Sequence, residues 1–445
     1  MHIVVISILI ILFFLIYFFK PKKIFLYWLS ISPYILPIFY RLFQPFFIPY
    51  VEKFQPILED YPGAIIFLMF LLSCVSLIKV HNRQEKVKTI ILPGVLLVLF
   101  VFFHNVLVGF DVRAFLAKIR DILWIIVPFM LLSVNKKVRP SRDSFINFIY
   151  FFVYIQTFFC FLNLFGFKIY GNLNDVTTFD DLLISGTFPR YNHMANYLAI
   201  FFFILSYEYM ENKGVKRRTY FLTTFLIGLL IIMSGSRMTL LLTIFTILFF
   251  ICTYQNKKNI FLTLMAFVLL IGIYIIGNDN FVGKKADDGT GVERNLIGIV
   301  ELANSDDLSE GSTLSMSAKV LFFYSNSPIL GNGKAYRKEY FYGKPTDAYH
   351  NEGSFKVDAR LAFMFVEYGI VGLSLFFLLY VSIFRGCYFY SEEHKKKLYW
   401  GAGLYFLIYS ITDPGFWDYV IFSSLLIYVF SEKTRGKMKQ IQSSI

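Results

Sequence analysis

Residues 220–254 form one predominantly apolar run, broken at its centre by the tripeptide Gly235-Ser236-Arg237. As a single helix the run would reach roughly 50 Å, at about 1.5 Å per residue, whereas the hydrocarbon core of a bilayer is about 30 Å thick. It therefore reads as two crossings joined by a very tight turn. Gly235 permits the sharp reversal. Arg237 is then held at a membrane face or just inside it, where an unpaired cation costs at least about 2.5 kcal/mol. An arginine kept in such a place needs an anionic partner.

A chain built around such a run is a membrane protein throughout. It is 57% hydrophobic and 20% aromatic but only 16% charged, which excludes a soluble domain of this length. About twelve or thirteen apolar segments are long enough to cross, so the expected fold is an all-α polytopic membrane protein. The first, residues 3–19, has no basic stretch before it and no small-residue cleavage site after it. It reads as a retained anchor rather than a signal peptide. The next, residues 24–40, is interrupted by Pro33 and Pro37, which leaves the side of the amino terminus open.

Charge placement sets the orientation. Basic clusters lie at Arg83-Lys86-Lys88, Lys136-Lys137-Arg139-Arg142, Lys213-Lys216-Arg217-Arg218, Lys257-Lys258, Lys395-Lys396-Lys397 and Lys433-Arg435-Lys437-Lys439. An even number of crossings separates successive clusters, so all can share one side, which the positive-inside rule makes the cytoplasm. Lys20, Lys22 and Lys23 argue that the first loop lies there too. The net charge of +13 resides largely in these loops and gives no reason to expect nucleic-acid binding.

The remaining connections fall on the external face. They are residues 167–192, the Gly235-Ser236-Arg237 turn, a long loop over 278–358 and residues 412–418. The expected division is transmembrane helices with short loops over 1–277, the large external loop over 278–358, carboxy-terminal helices over 359–432 and a cytoplasmic tail over 433–445. Cys74, Cys160, Cys252 and Cys387 lie in or beside apolar segments and offer no disulfide framework. No metal-ligand spacing, phosphate loop or G-x-S-x-G is present, and no cofactor is expected. His104 and Glu208 read as packing or membrane-edge residues.

Four stretches carry a resemblance. Gly186-Thr187-Phe188 followed by Asn192, Ala195, Asn196, Leu198 and Ala199 resembles a G-T-F…N…A…L-A signature. Ser234-Gly235-Ser236-Arg237-Met238-Thr239 is similar to an S-G-S-R-[ST] turn. Pro328-Ile329-Leu330-Gly331-Asn332-Gly333 followed by Tyr336 matches P-[IL]-L-G-x-G…Y. His350-Asn351, then Glu367-Tyr368-Gly369-Ile370-Val371-Gly372-Leu373, matches H-N…E-x-G-[IL]-[IV]-G-L. In this order around one long external loop, they resemble the O-antigen polymerase and O-antigen ligase superfamily. Two departures stand out: His350 lies farther upstream of Glu367 than in relatives, with Asp358 at the usual distance, and the Arg and Trp usual before the P-x-L-G element are missing.

The resemblance implies a metal-independent glycosyltransferase acting on the external, periplasmic face of the bacterial cytoplasmic membrane. Its donor would be an oligosaccharide on undecaprenyl pyrophosphate. A polymerase would pass the growing O-antigen or capsular chain to the next lipid-linked repeat unit; a ligase would pass it to lipid A-core. A transporter or flippase for the same glycans is the alternative from another class, but it should show related halves and polar mid-membrane segments. A chain-length regulator and a flippase are the protein partners implied. A pyrophosphate leaving group calls for cations, and an acceptor hydroxyl calls for a base. Arg237, Arg190, Arg337, Lys338 and Arg360 are candidates for the phosphate or glycan, with Asn192 and Asn351 beside them. His350 and Asp358 are rival bases, and Arg237 is counted with the catalytic set. Each also has a plainer use: interfacial anchor, solvated loop charge or, for Asp358, a helix N-cap.

Overall fold

The computed structural model describes residues 2–38, 65–76, 84–108, 112–165, 167, 169, 184–188, 191–211, 216–234, 236–254, 328–331, 360–390, 396–412 and 418–431. In chain order its helices are α1 (His2–Phe19), α2 (Ile24–Ser30), α3 (Ile65–Ser76), α4 (Gln84–Val108), α5 (Val112–Val134), α6 (Arg142–Leu164), α7 (Tyr191–Glu211), α8 (Arg217–Ser234), α9 (Arg237–Thr253), α10 (Arg360–Tyr390), α11 (Lys396–Thr412) and α12 (Asp418–Phe430). Among the described residues, four spans are long and apolar enough to cross a membrane: Ile90–Leu107 in α4, Arg142–Leu164, Arg217–Ser234 and Glu367–Tyr388 in α10. Shorter apolar helices accompany them. The protein is an all-α polytopic membrane protein.

The long apolar run divides as its length requires. α8 ends at Ser234 and α9 begins at Arg237, so the break falls on the expected tripeptide. Pro33 also leaves its mark: α2 passes into a π-helical turn at Ile31–Ile35, where the missing N–H of proline disturbs the regular ladder.

Polar contacts gather the basic ends of the helices on one face. The turn Pro21–Lys23 packs against the turn Lys136–Val138, so Lys20, Lys22 and Lys23 lie beside the Lys136-Lys137 basic turn. Arg139 donates from Nε to the Leu132 carbonyl at 2.7 Å and from Nη2 to the Ser133 carbonyl at 3.2 Å. It thereby satisfies carbonyls that the end of α5 leaves over. Arg142 opens α6 with Nε 4.0 Å from Glu208 Oε2, and the Tyr428 hydroxyl of α12 donates to the same oxygen. Glu208 thus serves helix packing, as the sequence suggests. Just past α9, Tyr254 donates to Glu211 at 2.7 Å, with the Lys397 ammonium 4.3 Å from its ring centre. Burial, reinforced by that carboxylate, holds the Tyr254 phenol well above the usual tyrosine range.

α4 and α10 lie antiparallel and unusually close. A Cβ added to Gly386 would sit 2.9 Å from Ile90; one on Gly94 would sit 3.1 Å from Leu379; one on Gly372 would sit 3.2 Å from Phe100. The pairing runs from the basic face to the opposite one, where α4 ends and α10 begins. The same opposite face holds the ends of α6, α8 and α11 and the starts of α7 and α9.

Candidate functional site

Every described part of the four motifs lies on that opposite face. The first part is the segment before α7. Its backbone is held by two buried side chains of α6. The N–H of Gly186 donates to Asn163 Oδ1 at 2.9 Å and that of Thr187 to Gln156 Oε1 at 3.0 Å, while Gln156 Nε2 donates to Thr187 Oγ1 at 2.6 Å. Phe188 then packs its ring on Tyr197 at 5.2 Å and Phe152 at 6.1 Å. Two polar side chains in an apolar helix are costly unless they are paired, and here the G-T-F backbone pairs them.

The second part is the turn between α8 and α9. Ser236 is the N-cap residue of α9, yet its side chain makes no capping bond to the first-turn amides. Its hydroxyl lies 2.7 Å from that of Thr239. Thr239 donates to Asn196 Oδ1 of α7 at 3.2 Å, and Asn196 Nδ2 donates to the Tyr409 hydroxyl of α11 at 2.9 Å. All four residues are buried. Three helix ends are therefore tied together where Arg237 begins α9.

The third part is the turn 328–331 against a break in α10. Gly369 has φ 62° and ψ −166° inside the helix, so the regular ladder is interrupted there. The N–H groups of Ile370 and Val371 turn instead to the carbonyls of Pro328 and Ile329, at 2.9 and 3.2 Å. Inside a membrane protein a freed amide must find such a partner. Gly331, with φ 82°, also occupies the left-handed region. His104 at 5% exposure and Glu367 at 2% lie against this turn. The polar surroundings of His104 are the Glu367 carboxylate and the main chain of Leu330 and Gly331, and its ring meets that of Tyr368 edge-on at 5.3 Å.

Of the sequence-predicted site residues, Arg237 is the first residue of α9, Arg360 the first of α10 and Asn192 the second of α7, all on this face. Arg190 stands two residues after Phe188 and just before α7, and lies outside the described residues, as do Arg337, Lys338, His350, Asn351 and Asp358. The structure adds residues that the sequence reading did not count as site candidates: Tyr409, Gln156 and Asn163, which it did not mention, Asn196, Thr239 and Glu367, which it quoted only as motif positions, and His104, which it read as a packing or membrane-edge residue. The available signal was a polar side chain standing alone in an apolar span. Among the described residues, no group of three or more His, Cys, Asp or Glu is placed to hold a metal ion.

No curated protein matches the chain at a significant level. A family described as O-antigen ligase matches residues 222–377. The matched stretch holds most of α8, all of α9, the turn 328–331 and α10 past its break, and hence three of the four motifs; the G-T-F segment lies before it. Over that stretch, about a third of its length, the chain is similar to the O-antigen ligase family.

Proposed function

We propose that the protein is a glycosyltransferase that polymerises undecaprenyl-pyrophosphate-linked oligosaccharide repeat units at the external face of the bacterial cytoplasmic membrane. One observation carries the reading: the described motif elements sit at one end of the helix bundle, opposite the face that holds the basic loops. A positive-inside orientation makes that end external, where a lipid-linked donor presents its pyrophosphate. Arg237, fixed at the first residue of α9, meets the leaving pyrophosphate; a guanidinium fork suits two phosphate oxygens at once. His350 or Asp358 takes the proton of the acceptor hydroxyl as the new glycosidic bond forms and the bond to the lipid pyrophosphate breaks. Arg190, Arg360, Arg337, Lys338, Asn192 and Asn351 supply further contacts to phosphate and glycan.

A second reading, ligation of the glycan to lipid A-core, is favoured by the description of the matching family. Deleting the gene separates the two. A polymerase deletion leaves single repeat units on the final acceptor and removes the ladder of longer chains. Loss of all glycan from the acceptor, with long lipid-linked polymer accumulating, supports ligation. Loss of lipid-linked units from the external leaflet overturns both in favour of a flippase.

A further inference from the structure

The start of α9 is tied to the bundle by more than its own sequence needs. An N-cap serine ordinarily gives its side-chain oxygen to an amide of the first turn. Ser236 does not; its hydroxyl goes to Thr239, and Thr239 hands the chain of bonds on to Asn196 and Tyr409. Thr239 and Tyr409 are 0% exposed and Asn196 is 3% exposed. The links leave α9 altogether: one ends on α7, in the G-T-F…N…A…L-A stretch, and one on α11, distant in sequence. The bonds therefore fix where the first turn of α9 lies relative to two other helices, not whether it is helical. The residue whose place they fix is Arg237, between Ser236 and Thr239.

We propose that Thr239, Asn196 and Tyr409 form a positioning relay for Arg237, acting on glycosyl transfer only by setting the place from which that guanidinium reaches the donor pyrophosphate. This rests on the function proposed above. Donation runs one way, from Ser236 to Thr239 to Asn196 to Tyr409, so removing the Thr239 hydroxyl breaks two bonds at once. It also leaves Asn196 Oδ1 without its donor in an apolar interior. The first turn of α9 is then free to shift. A displacement of about 1 Å at a catalytic cation costs up to about 100-fold in rate.

The test uses the full-length protein in native membranes or lipid nanodiscs, with a lipid-linked repeat unit as substrate. Thr239→Val keeps the side-chain shape without the hydroxyl, and Thr239→Ser restores the hydroxyl. The relay predicts that Thr239→Val lowers kcat about 10- to 100-fold with KM little changed, and that Thr239→Ser recovers most of the loss. In an Arg237→Lys background, adding Thr239→Val should lower kcat less than about twofold further, because residues that act as a unit are not additive. Tyr409→Phe, which keeps the ring, reads the far end of the relay. It should show a smaller loss that also vanishes with Arg237→Lys, and it serves if Thr239→Val fails to accumulate. A Thr239→Val enzyme at the wild-type rate overturns the relay. Losses that multiply with Arg237→Lys also overturn it, since packing alone would then account for them. An Arg237→Lys enzyme at the wild-type rate overturns the relay and the role of Arg237 together.

Discussion

Gly331 and Gly369 cross with their backbones in contact. A Cβ added to Gly369 would lie 2.6 Å from the amide nitrogen of Gly331, and one added to Gly331 would lie 2.5 Å from the carbonyl oxygen of Glu367. Both have positive φ, at 82° and 62°. The contact explains why each motif carries glycine at that place: the P-x-L-G turn enters the break in α10 and satisfies the amides that the break frees. It also brings the turn 328–331 against the first part of the helix that begins at Arg360, so the two motifs are one structural unit.

That crossing predicts a sharp contrast between two glycines. Gly369→Ala places a Cβ against backbone in a conformation that costs a non-glycine residue about 1–3 kcal/mol by itself. Gly403, within α11, has open space around an added Cβ. Gly403→Ala should therefore leave stability unchanged or raise it by up to about 1 kcal/mol, through helix propensity. Thermal unfolding of the detergent-solubilised proteins should show a marked fall for the first and none for the second.

At the opposite end of the bundle, Tyr428→Phe removes the hydroxyl that bonds to the buried Glu208 carboxylate beside Arg142. The ring and its 5.4 Å contact with the Arg142 guanidinium remain. Taking a donor from a buried carboxylate costs about 1–3 kcal/mol, so a lower unfolding temperature is expected. Because the cluster lies away from the motif face, glycan chain length measured at a permissive temperature should match the wild type.

The amphipathic logic of the chain was legible because a bilayer allows few solutions. Residues 220–254 were too long for one crossing, and the break fell where glycine and arginine stood. The described helix ends that carry lysine and arginine share a face because charge keeps them out of hydrocarbon. The hydrogen-bond partners were not legible. Gln156 and Thr187, or Asn196 and Tyr409, are far apart in sequence, and nothing in a local pattern says which buried amide meets which hydroxyl. Nor did spacing alone reveal that the motif glycines form a backbone crossing; a left-handed glycine looks like any other until its neighbour is placed.

Sidedness is open to direct measurement. With the native cysteines replaced, a single cysteine at Ser309, in the long loop, should react with a membrane-impermeant maleimide on intact spheroplasts. A single cysteine at Lys396, at the start of α11, should react only after the membrane is permeabilised. The reverse pattern would put the motif face in the cytoplasm, away from the proposed substrate pool.

Arg237→Lys keeps the charge at the head of α9 but replaces a planar fork with a compact ammonium. If the fork holds two pyrophosphate oxygens as the glycosidic bond breaks, losing that contact should lower kcat by about 10²–10³. Membrane insertion and protein level should stay normal, because a positive charge at a helix end is retained. His350→Ala and Asp358→Ala, assayed beside it, separate the two candidate bases. The residue that takes the acceptor proton should lose activity by about 10²–10⁴, and loss of the other should be tolerated. The same pair answers a question that spacing raises, since His350 lies farther from Glu367 than the resemblance leads one to expect, with Asp358 in its place. Chain-length distribution and initial rate, measured on membranes with matched protein levels, are the readouts. A wild-type distribution and rate for Arg237→Lys would reduce the arginine to a membrane anchor and move the search for the catalytic cation to Arg190 and Arg360.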